Sequence, residues 1–223
     1  MSQRHAKTAM YEQFARAGKA LSSPKRLELL DLLAQGERTV ESLASSAGLG
    51  LSTASQHLQA LKDSGLVRAR RDGTFMRYRL AGDDVAGLFA LLRTVATTHL
   101  ADAERAAAEY LGAPEADVDP VERQELLRRA RAGDVVVLDV RPAVEFEAGH
   151  IPGALSIPLG ELEQCLHDLP EHVEVVAYCR GAYCVLASDA VRLLASTGRR
   201  ARRLDEGMLE WRLAGLPVEV GAA

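Results

Sequence analysis

Along the first eighty positions the apolar residues keep a helical rhythm, then switch to strict alternation. Tyr11, Phe14, Ala17 and Leu21 recur three to four residues apart, which predicts a helix over residues 8–20. Ser22-Ser23-Pro24 is a start signal, with a capping serine and a proline suited to the first helical position. A second helix follows to about Gln35, with Leu27, Leu29, Leu30, Leu32 and Leu33 on a broad buried face and Gly36 as its stop. Thr39 caps a short third helix carrying Val40, Leu43, Ala44 and Ala47, closed by Gly48. Gly50-Leu51-Ser52 opens a fourth that turns Ala54, Leu58 and Leu61 inward. Residues 66–80 then alternate in two runs about Asp72-Gly73, which is a hairpin signal. Val85, Leu88, Phe89, Leu92, Val95 and His99 restore the helical spacing and predict one long helix from residue 83 to about 111.

Beyond a Pro-rich and acidic break at 112–120 the pattern changes again. A helix is predicted over 121–131, ended by Gly133. Residues 135–140 are then continuously apolar, as expected of a strand buried on both faces of a parallel sheet. A strand at 154–157, a helix at 159–166, a strand at 173–178 and a helix at 185–196 alternate after it. A short strand at 201–204 and the segment 206–214 close the pattern. This reads as two domains, 1–111 and 121–223, joined by a linker at 112–120. The second is α/β with a central parallel sheet and active residues at strand C-terminal ends.

The chain has 223 residues, enough for two cores, and a net charge of −4 that is unevenly spread. Residues 1–111 carry 15 Lys and Arg against 12 Asp and Glu, and residues 112–223 carry 12 against 19. The front half is the one suited to a polyanion. No apolar run approaches the roughly 20 residues needed to span a bilayer, and the first residues lack a signal-peptide apolar core. A cytoplasmic protein with no membrane partner is expected. Three cysteines are an odd and sparse set for a secreted disulfide scaffold, so a redox, metal or nucleophilic role is sought for the two that lie five residues apart.

The third and fourth helices, joined by a glycine-containing turn, form a helix-turn-helix pattern. Ser52, Thr53, Ser55, Gln56 and His57 at the start of the fourth helix suit base edges and phosphates of a major groove. The hairpin holds Arg68, Arg70, Arg71, Arg77 and Arg79 against a single Asp72, as a wing gripping the phosphate backbone requires. The run from Leu51 to Val67, with Arg70-Arg71-Asp72-Gly73 and Tyr78-Arg79-Leu80, closely resembles the ArsR family of winged-helix repressors. That resemblance covers residues 10–100. It implies a mainly-α winged helix-turn-helix domain, a homodimer held by the first and last helices, and a palindromic double-stranded operator. Metal-sensing relatives carry thiols in the third helix, but here it reads Glu41-Ser42-Leu43-Ala44-Ser45-Ser46. His99 and Asp102 make at most half of a last-helix zinc set. No metal site and no cofactor is expected, so the signal must enter elsewhere.

The β-branched run Val175-Val176 leads through Ala177-Tyr178 into Cys179-Arg180-Gly181-Ala182-Tyr183-Cys184, followed by a helical pattern. A cysteine between a strand and a helix N-terminus, with Arg180 beside it, is placed to favour the thiolate at Cys179. Leu138-Asp139-Val140-Arg141, Glu145-Phe146-Glu147-Ala148-Gly149-His150-Ile151-Pro152-Gly153-Ala154 and Trp211-Arg212-Leu213-Ala214-Gly215-Leu216-Pro217-Val218 resemble the signatures of the rhodanese family. Glu206-Gly207 stands where relatives often have two glycines. The resemblance covers about 118–220. It implies that Cys179 accepts sulfane sulfur as a persulfide, that Asp139 and Arg141 support the fold near the site, and that His150 is structural. The second thiol, Cys184, departs from common sulfurtransferases and can resolve a persulfide into a disulfide or polysulfide; its plainer role is a small residue opening the helix. Cys165 is most simply core, and Tyr183 a wall of the pocket. Three functions remain open. One is a repressor sensing a small sulfur donor (polysulfide, persulfide or thiosulfate) through Cys179 and Cys184. Another is a weak rhodanese-type sulfurtransferase with an autoregulatory DNA-binding head. The last is a repressor that recognises an oxyanion such as arsenate.

Overall fold

The computed structural model describes residues 2–112 and 120–221. The expected linker falls almost wholly on 113–119, outside the described residues. The chain packs as two compact units, Met1–Leu91 and Leu92–Ala223.

In the first unit, α1 (Gln3–Ala20) begins earlier than its apolar spacing predicts, because the Ser2 hydroxyl accepts the Arg4 N–H at 3.3 Å and caps it. Next, α2 (Pro24–Gln35) buries Leu29, Leu30, Leu32 and Leu33. A two-residue strand, β1 (Arg38–Thr39), leads into α3 (Val40–Ser46), where Thr39 Oγ1 accepts the Ser42 N–H at 3.2 Å. Gly48, at φ +60°, makes the turn to α4 (Leu51–Asp63), which buries Ala54, Leu58 and Leu61 completely. The hairpin β2 (Val67–Asp72) and β3 (Phe75–Leu80) follows, and β1 joins it in an antiparallel sheet of order β1-β3-β2. Two residues are too few to show a period, which is why β1 is invisible in the apolar pattern.

The long helix expected over 83–111 is instead two: α5 (Asp83–His99) and α6 (Ala101–Leu111). Leu100 breaks them with extended backbone, φ −115° and ψ 105°. The local chemistry favours the break. Thr97 and Thr98 are β-branched, the Thr97 hydroxyl donates back to the Arg93 carbonyl at 3.0 Å, and Asp102 and Glu104 suit the first turn of a new helix. α5 spans the division between the units: its first part buries Val85, Ala86 and Phe89.

The second unit continues with α7 (Arg123–Ala132), β4 (Val135–Asp139), α8 (Ala143–Ala148), β5 (Leu155–Ser156), β6 (Glu174–Tyr178), α9 (Leu186–Ser196), β7 (Ala201–Arg203) and α10 (Met208–Leu213). All four strands are parallel, in the order β5-β4-β6-β7. Alternation along β6 divides the core. Val175 and Ala177 face Leu138, Ala190 and Leu194, whereas Val176 and Tyr178 face Val137, Leu204 and Trp211. α7 starts two residues later than predicted because Val121 bridges to Leu204 instead. The helix expected over 159–166 is a run of turns ending in a 3-10 turn, Leu166–Asp168. Its bonds reach back mostly three residues, as from Glu161 to Pro158 at 2.8 Å and Gln164 to Glu161 at 3.0 Å. Pro158 and Gly160 weaken an α-helical start, while Leu162 still anchors the segment in the core. Among the described residues no helix is long and apolar enough to cross a membrane.

Candidate functional site

On the first unit, burying Ala54, Leu58 and Leu61 leaves Ser52, Thr53, Ser55 and Gln56 exposed on α4, with His57 half-buried. The wing sets Arg68 directly opposite Arg79 and Arg70 opposite Arg77. Like charges in cross-strand register cost stability unless an anion offsets them. Arg68, Arg70, Arg71 and Arg79 are exposed and Arg77 is half-buried. The structure adds an acid that the hairpin's own sequence does not contain. Glu37 accepts from Arg70 Nε at 2.9 and 3.0 Å, while Asp72 holds Arg77 at 2.6 Å. Part of the wing's charge is thus held by carboxylates that a phosphate would have to displace.

In the second unit, β6 ends at Tyr178 and delivers Cys179 into a loop that returns at Cys184 to the start of α9. The two thiols are free and stand close enough for each to shift the acidity of the other. They sit on the floor of a cavity of about 380 Å³ whose walls include Ala108, Leu111, Ala187, Val191 and Leu204. Arg203 and Glu206 reach the same cavity. Cys179 is only 2 % exposed, and its Sγ donates to the Cys184 carbonyl at 3.3 Å.

The expected thiolate at Cys179 is not what this geometry favours. The neighbouring Cys184 sulfur, followed by burial, pushes the Cys179 thiol well up, against the N–H groups of Ala187 and Gly181. The Cys179 neighbour in turn lowers Cys184 to about 7, helped by the N–H groups of Arg180 and Leu186 and by the Arg180 charge. The pair therefore loses its first proton near neutrality, and the charge rests on Cys184. The two groups share one thiolate.

The loop is held from behind by the start of α10. The Met208 N–H donates to the Cys179 carbonyl and the Leu209 N–H to the Arg180 carbonyl, both at 2.9 Å. Gly207 lies so close that a Cβ there would stand 2.3 Å from the Gly181 nitrogen and 2.6 Å from the Cys179 oxygen. This explains the glycine of Glu206-Gly207; Glu206 is left to face the cavity.

Arg180 is near the thiols in sequence, but its guanidinium is committed to the fully buried Glu145, with Nε at 3.0 Å from both carboxylate oxygens. Asp139 and Arg141 are fully buried and pair with each other, Arg141 Nε lying 2.9 and 3.1 Å from the carboxylate oxygens. Arg141 also donates to the Gly149 carbonyl at 2.9 Å, and the Tyr178 hydroxyl donates to Asp139. This network closes the C-terminal end of β4 and ties Ile151 to β6 through Tyr178 at 3.1 Å. It brings Asp139, Arg141 and Tyr178 together and leaves them outside the cavity lining. His150 stacks on Phe146 at 3.6 Å and bonds its carbonyl, a structural placement. Cys165 packs against the core.

Sequence reasoning missed Glu145, Tyr178 and Glu210. Glu145 lies within a rhodanese-like signature, and a buried charge in such a run is a signal that a partner exists; Tyr178 directly precedes Cys179. Glu210 caps the start of α10 by accepting the Gly207 N–H at 3.1 Å, immediately before the segment resembling the family's close. Among the described residues no group of three or more His, Cys, Asp and Glu side chains is placed to hold a metal ion.

Comparison with known proteins agrees with both halves. The model of the bacterial regulatory protein arsR family matches residues 23–69, and that of the rhodanese-like domain matches 122–214. The chain is 59 % identical over 216 residues to the HTH-type transcriptional regulator Rv0324 of Mycobacterium tuberculosis, covering 97 % of this chain and 94 % of that protein. It is 29 % identical over 102 residues to a sulfurtransferase of Allochromatium vinosum, covering 45 % of this chain and 94 % of that one. A solution structure of a homodimeric winged helix-turn-helix DNA-binding domain from Mycobacterium bovis is 58 % identical, with a TM-score of 0.42, covering 45 % of this chain and 91 % of that fragment.

Proposed function

As a member of the arsR family of bacterial regulatory proteins that also carries a rhodanese-like domain, the chain is, we propose, a repressor released from operator DNA by reactive sulfur. The observation that carries this reading is the pair of free thiols of one short loop facing the same cavity, with the surroundings of Cys184 lowering it to about 7. A rhodanese-like site with one thiol can hold sulfur; a site with two can register it.

The chemistry balances with an organic persulfide, RSSH, as donor. The Cys184 thiolate attacks the outer sulfur, the S–S bond of the donor breaks, and RSH leaves with the donor's proton. Cys184 now carries a persulfide anion. The Cys179 thiol then attacks the inner sulfur, closing a Cys179–Cys184 disulfide and expelling hydrosulfide, which takes the Cys179 proton. Two thiols are oxidised and one sulfane sulfur is reduced to sulfide. The order reverses the one implied by family resemblance, because Cys179 is the more buried and the less acidic of the two.

DNA contact is assigned to Ser52, Thr53, Ser55, Gln56 and His57 of α4 and to Arg68, Arg70, Arg71 and Arg77 of the wing. A homodimer is supported by apolar side chains exposed on α1, where Met10, Tyr11 and Phe14 are 47, 56 and 61 % exposed. Two copies covering these faces suit a palindromic site.

The test is intact mass and operator affinity of one sample before and after an organic persulfide. Loss of two hydrogens in the wild type, a gain of about 32 mass units in Cys179→Ser, and no stable gain in Cys184→Ser are expected. Operator affinity of the wild type should fall by about tenfold or more. Modification with unchanged DNA binding would favour a sulfurtransferase instead, and an unmodified wild type would remove sulfur as the signal.

A further inference from the structure

Two side chains of α5 reach the cysteine loop, and neither belongs to the rhodanese-like segment 122–214. Both lie in the second compact unit, in the part of α5 that follows Leu92. Arg93 NH2 is 2.7 Å from Glu210 Oε1, and both side chains are largely buried, at 18 and 16 % exposure. The Arg93 guanidinium also lies over the Tyr183 ring, 5.1 Å from its centroid. One turn on, the Tyr183 hydroxyl donates to Thr97 Oγ1 at 3.0 Å. The Thr97 hydroxyl proton is directed to the Arg93 carbonyl at 3.0 Å, which leaves that oxygen free to accept.

Both targets control the thiols. Tyr183 is the residue before Cys184. Glu210 accepts the Gly207 N–H through its other oxygen, and it stands where a Cβ on Gly181 would meet it at 3.0 Å. A helix merely resting on a domain would offer apolar side chains. These contacts are directional, polar and spaced four residues apart, so they fix position rather than only cover surface.

We propose that Arg93 and Thr97 of α5 are positioning residues for the cysteine loop, clamping it at Glu210 and Tyr183, so that loop state and the seating of α5 form one equilibrium. The inference rests on the sulfur-sensing reading for its purpose but not for its geometry. Closing a Cys179–Cys184 disulfide pulls the loop in from both ends and draws Tyr183 with it. The clamp then loosens its hold on α5, the helix whose first part buries Val85 and Phe89. Conversely, any shift of α5 reaches the N–H groups of Arg180 and Leu186 that converge on Cys184.

The experiment measures iodoacetamide alkylation of Cys184 against pH in the reduced full-length protein and in Thr97→Val, Tyr183→Phe, their double variant and Arg93→Met. Thr97→Val and Tyr183→Phe each remove a hydroxyl and keep the shape, and unchanged circular dichroism confirms that each folds. The midpoint should rise by about half a unit or more in each, roughly a threefold loss of thiolate below it. The double variant should do no more than either single one, as a directly bonded pair requires. Profiles of both hydroxyl variants that superimpose on the wild type would overturn the clamp. The same samples, exposed to an organic persulfide and weighed, report separately on oxidation of the thiol pair. A wild type whose mass does not change while its variants shift their alkylation profiles would overturn the sensor and leave the clamp standing.

Discussion

Cys184 gathers three kinds of help for its charge: the Cys179 thiol, the N–H groups of Arg180 and Leu186, and the Arg180 guanidinium. The first is the largest, and it is removable. In Cys179→Ala the midpoint of Cys184 alkylation should climb from about 7 toward the usual thiol value, so less thiolate is present at neutral pH and alkylation there slows. A profile that stays in place would mean that the loop N–H groups alone set the acidity. Gly207 offers a steric counterpart. A methyl group at 2.3 Å from the Gly181 nitrogen forces backbone to move, so Gly207→Ala should cost about 1–3 kcal/mol in denaturant unfolding of the full chain. It should also disturb Cys184 alkylation, whereas Gly160→Ala, with nothing within 4 Å of its Cβ, should leave the alkylation profile alone. At this scale the five-residue spacing of the two cysteines was legible. Their unequal acidity was not, because it depends on which sulfur is buried and which N–H groups face it. Nor was the commitment of Arg180 to Glu145, thirty-five residues away, since ion pairs across a fold leave no local period.

Elements that carry their own punctuation were readable: α2 from Ser23-Pro24 to Gly36, α4 after Gly50, and the hairpin on Asp72-Gly73 match the chain's signals closely. Those shaped by context were not. β1 exists because β3 offers an edge, and the turns at 159–165 exist because Leu162 must reach the core from a stretch bounded by Pro158 and Gly160. The break at Leu100 is intermediate, since Thr97 and Thr98 weaken the helix while the apolar spacing runs on through it. In the wing, context changes the energetics as well. Arg70 is paired with Glu37, so the phosphate contact proposed for it would be an exchange of partners. Arg70→Ala should therefore weaken operator binding modestly at low salt, while the slope of log affinity against log salt should flatten by about 0.9. An unchanged slope would remove Arg70 from the phosphate contacts. Filter-binding or fluorescence anisotropy across a salt series reads this directly.

For the molecule as a whole, the proposed sulfur-sensing function requires one coupling free energy between sulfur state and operator affinity, and such a quantity acts in both directions. If the disulfide form binds operator about 100-fold more weakly, the coupling is about 2.7 kcal/mol, and operator must disfavour the disulfide by the same factor. The uneven charge, positive in residues 1–111 and negative in 112–223, makes the DNA term sensitive to salt. The thiol pair, with Cys179 only 2 % exposed, is screened far less. The reciprocal effect can be measured by equilibrating the full-length protein in a redox buffer of an organic persulfide, its thiol and hydrosulfide, with and without saturating operator duplex. Titrating the ratio and quenching with acid before mass analysis gives the fraction of Cys179–Cys184 disulfide. Operator should shift the midpoint ratio toward more oxidising mixtures by the same factor by which oxidation weakens DNA binding, and raising the salt should shrink both together. A duplex that weakens on oxidation yet leaves the midpoint in place would break the thermodynamic cycle. Release would then arise from damage to the protein rather than from a second folded state with lower affinity.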